Sequence, residues 1–313
     1  MKTNLKNKKI LLTGGAGFLG KEVFKKLLER GVNKKDILVP RSKEYDLRKK
    51  EVCDEIVKGV DIVIHIAAKV GGLWYHVGRE ADFFYENSVI GLHLIDSAYR
   101  AGVKKFVGLG SVCEYPYNAP LPFKETDLWN GYPSKITAPY GLSKRMMLVA
   151  SQAYNAQYKF NAIHLVPINL YGPGDNFDPK SSHAIPAIVR RVYEAKKMSK
   201  NHINVWGNGT ASRELFFVRD AAEAIVLATE NYDKPEPVNL GSGREISIKK
   251  LAELICKFMN FKGEIKWDTS KIGGQLHRRL DVSLAQKEFG FKAKTKFEDG
   301  LKETIEWFLE NKV

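Results

Sequence analysis

Cysteine is scarce in this chain of 313 residues, and its three copies, Cys53, Cys113 and Cys256, form no CxxC pair. So sparse and odd a set excludes a disulfide framework and suits a reducing compartment, so a cytoplasmic location is expected. Long apolar runs are missing as well, which excludes a membrane-spanning helix and leaves no membrane partner to expect. Lysines precede Ile10, but Ile10–Leu12 is too short for the apolar core of a secretory signal and runs straight into glycines. Internal repeats and low-complexity tracts are absent. No cluster of metal-ligand type stands out, and no metal is expected.

Positive charge is in excess. Fifty Lys and Arg against 36 Asp and Glu leave a formal net charge of +14. Such a balance suits either a nucleic-acid surface or an enzyme of anionic ligands. The lysines are scattered (Lys25, Lys26, Lys34, Lys35, Lys49, Lys50, Lys249, Lys250) and sit on the polar faces of helical stretches. Scattered solvated charge does not make a nucleic-acid stripe, and no nucleic-acid partner is expected.

The order of elements is informative. Lys9–Leu12 reads as a short buried strand, followed by Thr13-Gly14-Gly15-Ala16-Gly17-Phe18-Leu19-Gly20 and a helix from about Lys21 to Arg30. Strand, glycine turn and helix are the context of a dinucleotide fingerprint. Gly14, Gly17 and Gly20 allow backbone to approach a pyrophosphate, and the helix N-terminus, with Phe18 and Leu19, supplies N–H groups and positive dipole. Further strands are expected at Asp36–Val39, Val60–Ala67, Lys105–Leu109, Ala162–Pro167, Glu214–Val218 and Pro237–Leu240. Helices are expected at Ala81–Ala101, Tyr140–Tyr158, Ile185–Lys197, Arg219–Glu230, Ile248–Met259 and Phe297–Glu310. Alternating strands and helices predict an α/β fold with a doubly wound parallel sheet. Residues 1–168 and 214–242 are expected to form a Rossmann-like NADP-binding domain, with 169–213 and 243–313 as a smaller interleaved substrate lobe.

Five residues carry the expected chemistry: Ser111, Cys113, Tyr140, Lys144 and His183. Tyr140 and Lys144 are spaced i, i+4, on one face of a helix. An ammonium beside a phenol lowers the phenol's pKa, and such a tyrosine can protonate a carbonyl oxygen as hydride reaches its carbon. Ser111, at a strand's carboxyl end, can bond the same oxygen. Cys113 lies two residues on, and in extended backbone that spacing puts both side chains on one face. A thiolate and an imidazolium can remove and deliver protons next to a ketone. His183 precedes a helix whose dipole disfavours a positive ring, so its pKa is expected near or below neutrality.

At the end of the second strand, where NAD enzymes often present an acid, the chain has Val39-Pro40-Arg41-Ser42. Arg41 offers a fork of donors to a 2′-phosphate, which points to NADP(H).

Taken in order, these residues resemble the extended short-chain dehydrogenase/reductase family and, within it, the GDP-L-fucose synthases. The resemblance runs from Ile10 to about Val282. It is carried by Ala67-Ala68-Lys69-Val70-Gly71-Gly72, Gly110-Ser111-Val112-Cys113-Glu114-Tyr115-Pro116 and Pro139-Tyr140-Gly141-Leu142-Ser143-Lys144. It continues through Pro167-Ile168-Asn169-Leu170-Tyr171-Gly172-Pro173, Asp175-Asn176-Phe177-Asp178-Pro179, Ser182-His183-Ala184-Ile185-Pro186-Ala187 and Ser212-Arg213-Glu214-Leu215.

The resemblance implies a bifunctional 3,5-epimerase/4-reductase acting on a nucleotide-linked 4-keto-6-deoxy sugar, GDP-4-keto-6-deoxy-D-mannose to GDP-L-fucose. It makes Cys113 and His183 the acid/base pair. It puts Asp46 and Leu47 against the adenine and Ala67, Lys69, Pro167, Asn169 and His183, with Tyr140 and Lys144, along the cofactor. Arg213 matches a position that contacts the substrate diphosphate. Asn169, Arg191, Trp206 and Arg278 complete the expected substrate contacts, and a homodimer through the two long helices at 81–101 and 140–158 is implied. Two stretches depart from the pattern. Leu73-Trp74-Tyr75-His76 replaces a small residue and Asn, and Lys271 is followed by Ile272-Gly273-Gly274-Gln275-Leu276-His277-Arg278. A sugar-nucleotide epimerase holding its nicotinamide tightly, a 4-ketoreductase without epimerisation, and a non-catalytic nucleotide- or RNA-binding relative stay open as alternatives.

Overall fold

The computed structural model describes residues 3–270 and 275–311. Among them eleven strands and nine α-helices follow one another. The order begins β1 (Ile10–Thr13), α1 (Phe18–Glu29), β2 (Ile37–Leu38), α2 (Lys50–Ile56), β3 (Ile62–His65), α3 (Glu80–Arg100), β4 (Lys105–Leu109), α4 (Ala138–Tyr158), β5 (Ala162–Pro167) and β6 (Asn169–Tyr171). It continues with α5 (Ala184–Lys197), β7 (His202–Trp206), β8 (Ser212–Phe217), α6 (Val218–Asn231), β9 (Val238–Leu240), β10 (Glu245–Ser247), α7 (Ile248–Phe258), β11 (Glu264–Asp268), α8 (Ser283–Phe289) and α9 (Phe297–Asn311).

The main sheet is parallel, in the order β2-β1-β3-β4-β5-β9. Its strands are short apolar runs because both faces are covered. Successive residues alternate between the two covers, as the two-residue period of a strand requires. Leu11, Val63, Phe106 and Ala162 pack with α2, α3 and α4, while Ile10, Leu12, Ile62, Ile64, Val107 and Ile163 pack with α1 and α6. From β1 the chain goes to β2 on one side and β3 lies on the other, so a switch point opens above the carboxyl ends of β1 and β3.

The smaller lobe has its own core. Helices α5, α7 and α9 enclose Val189, Val205, Leu251, Ile255, Leu301 and Phe308 against β6, β7 and β8. Its sheets are β10-β8-β6 and β11-β7.

Several elements differ from the sequence expectations. Helix α1 begins at Phe18 rather than Lys21, because Gly17 serves as its N-cap and Gly20 lies inside the first turn. Helix α2, the short strands β6, β7, β10 and β11, and α8 were not expected. Strand β8 pairs with β6 and β10 of the small lobe and not with the main sheet, whereas α6, which follows it, packs on α1. Helix α8 packs on α6 and β9, so the chain crosses back toward the main sheet before ending in the lobe. Among the described residues no helix is long and apolar enough to cross a membrane, and no group of three or more His, Cys, Asp or Glu is placed to hold a metal.

Candidate active site

Strand β4 delivers the first part of the site. It ends at Leu109, Gly110 follows, and Ser111 becomes the N-cap of a 3-10 turn at Val112–Glu114. Ser111 Oγ accepts from the Cys113 backbone N–H at 3.2 Å, and the Ser111 N–H donates to Glu114 Oε1 at 2.7 Å. This backbone is not extended, as the two-residue spacing had suggested; a capped turn brings Ser111 and Cys113 together. The turn is anchored from below. His164 Nε2 lies 3.1 Å from both oxygens of the fully buried Glu114 carboxyl group, and Arg145 Nε donates to the Glu114 carbonyl at 2.7 Å. A side chain at Gly110 would run into Glu114 and His164, and one at Gly141 would run into the Cys113 carbonyl. Gly141 thus lets the first turn of α4 sit directly on the loop that carries Cys113.

That contact places Tyr140 beside Ser111. Pro139 is in the first turn of α4, where its missing N–H costs nothing. The Tyr140 side chain is buried, with Ser111 in hydrogen-bonding reach. Lys144, one turn on, donates from Nζ to the Leu109 carbonyl at 2.9 Å, and Nζ is 5.9 Å from the Tyr140 ring centre. The expectation that Lys144 lowers the phenol's pKa is not met. Burial pushes the phenol upward, and the neighbouring Cys113 and Glu114 add to the rise. Burial also lowers Lys144, to about 8, with Glu114 opposing the drop.

The second part comes from the small lobe and its linkers. A cavity of about 280 Å³ is lined by Cys113, Asn169, His183, Arg191, Trp206, Arg213 and Arg278 together with Gly71, Gly72, Trp74, His76, Thr137 and Ser182. Seven residues expected from distant parts of the sequence therefore share one wall. Among the described residues the lining carries three arginines and Lys180 and no carboxylate. His183 is the N-cap of α5, whose first turn also lacks acids. Its pKa is lowered in the expected direction, the cause being desolvation by the surrounding cavity walls, although the residue itself is exposed. Arg213 is lowered to about 10, first by burial and then by Arg278. Two guanidinium groups held that close favour an anion between them. Arg278 is itself fixed, Nε donating to Gln275 Oε1 at 2.7 Å. Arg191 lies 4.7 Å over the Trp206 ring and donates to the Asn204 carbonyl. Trp74 meets Trp206 edge-on, the ring centres 6.3 Å apart. Lys271–Gly274, the first part of the second departing stretch, lie outside the described residues.

The glycine turn at the switch point fits a dinucleotide. A Cβ on Gly14 would lie 2.8 Å from the Ala67 backbone nitrogen, one on Gly17 3.2 Å from the Gly14 carbonyl, and Gly20 leaves no room at all against Gly14. Only backbone fills this corner. The first turn of α1 holds no acid and no side chain caps it, so its N–H groups are free for an anion. Leu19 is buried under the turn and Phe18 packs on the core. Arg41 is exposed just past β2.

The remaining expected cofactor residues have local partners. Lys69 Nζ binds Asp82 and Glu86 of α3 at 3.1 and 2.7 Å. Asp46 is held by Arg48, which lowers its pKa to about 2. Leu47 is buried, and its carbonyl accepts a hydrogen bond from the Cys53 thiol. The Ala67 N–H reaches Thr13 Oγ1 at 3.3 Å, and Pro167 ends β5 beside Leu240 of β9.

Reading the sequence did not single out Thr137 and Ser182. Both hydroxyl oxygens are buried without a partner among the described residues, as is His76 Nδ1. Their burial is a product of the cavity and has no local sequence signal.

The comparisons fit this geometry. The NAD dependent epimerase/dehydratase family model matches residues 10–241. GDP-L-fucose synthase 1 of Arabidopsis thaliana is 37% identical over 98% of this chain and 94% of its own length. Among solved structures, a GDP-6-OMe-4-keto-L-xylo-heptose reductase from C. jejuni superposes with a TM-score of 0.91 at 27% identity, covering 99% of this chain and all of the other. A GDP-L-fucose synthetase from Naegleria fowleri bound to NADP gives 0.87 at 28% identity, over 98% and 95% of the two chains. The chain belongs to the NAD dependent epimerase/dehydratase family.

Proposed function

We propose that this chain converts a nucleotide-linked 4-keto-6-deoxy sugar, GDP-4-keto-6-deoxy-D-mannose, to GDP-L-fucose by epimerisation at C3 and C5 and NADPH-dependent reduction at C4. One observation carries the reading. Cys113 and His183 line the same arginine-walled cavity, and Cys113 is joined by a capped turn to Ser111, beside Tyr140. Relatives of this family named GDP-L-fucose synthase align over nearly the whole chain.

NADP(H) would be held by Gly14, Gly17, Phe18, Leu19 and Gly20 at its pyrophosphate and by Arg41 at its 2′-phosphate. When bound it supplies the hydride that reduces C4. Arg213 and Arg278, with Arg191 beside Trp206, would neutralise the substrate diphosphate. Cys113 Sγ would take the proton from the carbon next to the ketone, and His183 would return one from the opposite face. Tyr140 would give its proton to the ketone oxygen while Ser111 bonds the same oxygen. The raised pKa of the phenol keeps it protonated at neutral pH, which is the state a reductive step needs. The Lys144 ammonium would stabilise the phenolate left behind.

For assembly we propose a homodimer through α3 and α4. These helices pack closely on each other and leave Phe84, Tyr85, Val149 and Tyr158 exposed. A monomer by light scattering at micromolar concentration would count against it.

Purified protein should oxidise NADPH with the ketone and, in deuterated water, place deuterium at C3 and C5. Hydride transfer without deuterium would favour a reductase alone, the activity named for the C. jejuni structure above. Neither signal would remove the reading.

A further inference from the structure

We propose that His76 determines specificity, its Nδ1 accepting a hydrogen bond from a hydroxyl on the carbon next to the reacting carbonyl. The inference rests on the function proposed above. His76 follows the 3-10 turn at Leu73–Tyr75, and its side chain forms part of the cavity wall while remaining 3% exposed. The ring is fixed on three sides. It stacks on Phe83, with centres 4.0 Å apart and planes 28° from parallel. It meets Tyr140 edge-on at 5.8 Å. Nε2 lies 3.3 Å from the Gly71 carbonyl oxygen.

That carbonyl can only accept, so Nε2 carries the ring proton and Nδ1 is left as a bare acceptor. Burial lowers the ring's pKa to about 4, so the imidazole is neutral in the working range. Nδ1 is buried and has no partner among the described residues. A buried acceptor left unpaired carries the cost of its lost solvation. A ligand that brings an O–H or N–H donor recovers that cost, and one that lacks it does not.

Two donors enter such a site, a sugar hydroxyl and the carboxamide of the nicotinamide. The position of His76 favours the sugar. Its ring abuts Tyr140, the proposed proton donor to the ketone oxygen, and lies close enough to His183 for that ring's charge to bear on it. Both neighbours are assigned to the sugar carbons around C4.

The test compares two substrates, the nucleotide 4-keto-6-deoxy sugar and its analogue without the C3 hydroxyl. Wild-type enzyme should prefer the hydroxylated ketone in kcat/KM. His76→Phe keeps the stack on Phe83 and removes the acceptor. It should cut kcat/KM for the hydroxylated ketone about 10–100-fold and leave the analogue within a few-fold, so the preference collapses. His76→Gln carries an acceptor oxygen and should restore part of it, and His76→Leu is a second acceptor-free variant should Phe not fold. NADPH affinity by fluorescence should stay unchanged throughout. A preference that survives in His76→Phe or His76→Leu overturns the proposal, as does an equal loss of NADPH affinity, which would assign the donor to the carboxamide. Reduction of neither ketone by the wild-type enzyme would overturn the proposed function, and this inference with it.

Discussion

The turn at the carboxyl ends of β1 and β3 is walled by glycine backbone and the first turn of α1, whereas the cavity between α5 and β8 is walled by side chains. The turn offers backbone N–H groups, fixed by close packing of local backbone. The cavity offers a thiol, two imidazoles and three guanidinium groups, gathered from residues 76 to 278. The difference teaches how such an enzyme divides its labour. Backbone can hold a common phosphate group on any suitable turn, while discrimination between sugars needs side chains whose positions depend on packing.

The largest expected effect separates the chemistries that meet between these ends. Tyr140→Phe should lower NADPH oxidation roughly 10²–10⁴-fold, because the phenol is the proposed proton donor. Deuterium exchange next to the ketone should survive better, since Cys113 and His183 are the groups proposed to perform it. Cys113→Ser should give the reverse, with most exchange lost and NADPH binding intact. If both variants lose both activities in the same proportion, the two sets of residues do not act separately.

Arg41→Ala probes the backbone-built end. A charge-assisted bond is worth about 1.5–3 kcal/mol, so NADPH affinity should fall by roughly 10–150-fold and NADH affinity little. Equal losses by titration would mean that Arg41 does not read the 2′-phosphate. At the other end, Arg213→Ala should raise KM about tenfold with a smaller change in kcat. Arg278, the neighbour of Arg213, would remain at the proposed diphosphate position and compensate in part. A change confined to kcat would place Arg213 elsewhere in the reaction.

The same contrast governs what the sequence revealed. The glycine turn, the Tyr140–Lys144 spacing and the strands of the main sheet were legible because each is a local pattern. Ile62–His65 and Ala162–Pro167 are buried at every position and read as apolar runs. Strands β7 and β11 were not, since they alternate or expose their residues in a two-stranded ribbon, as with Glu264 and Lys266. Helix α2 is seven residues long, with the four charges of Lys50, Glu51, Asp54 and Glu55, and sits where a loop would serve as well. Within the site, Cys113 and His183 were visible through family resemblance. The clamp of Glu114 by His164 and the unpaired atoms of His76, Thr137 and Ser182 were not, because pairing and burial are set by residues far apart in the chain. The phenol's pKa departs from the i, i+4 expectation for the same reason: it is raised by burial and by Cys113 and Glu114, which the local spacing does not show.

The smallest effect concerns that clamp. The Glu114 carboxyl group lies beneath the catalytic turn, bonded to the Ser111 N–H and to His164, and its charge favours the ammonium form of Lys144. Burial alone pulls Lys144 down, to about 8 with Glu114 present. Reduction should therefore decline as pH rises through about 8 and the ammonium loses its proton. Glu114→Gln keeps an acceptor for the Ser111 N–H and removes the negative charge. Lys144 would then give up its proton more readily, and the alkaline limb should move to lower pH by up to about one unit. The direction matters more than the size. A carboxylate that merely held the turn in shape would change kcat without moving the limb, so an unshifted pH profile in Glu114→Gln would reduce Glu114 to a structural role.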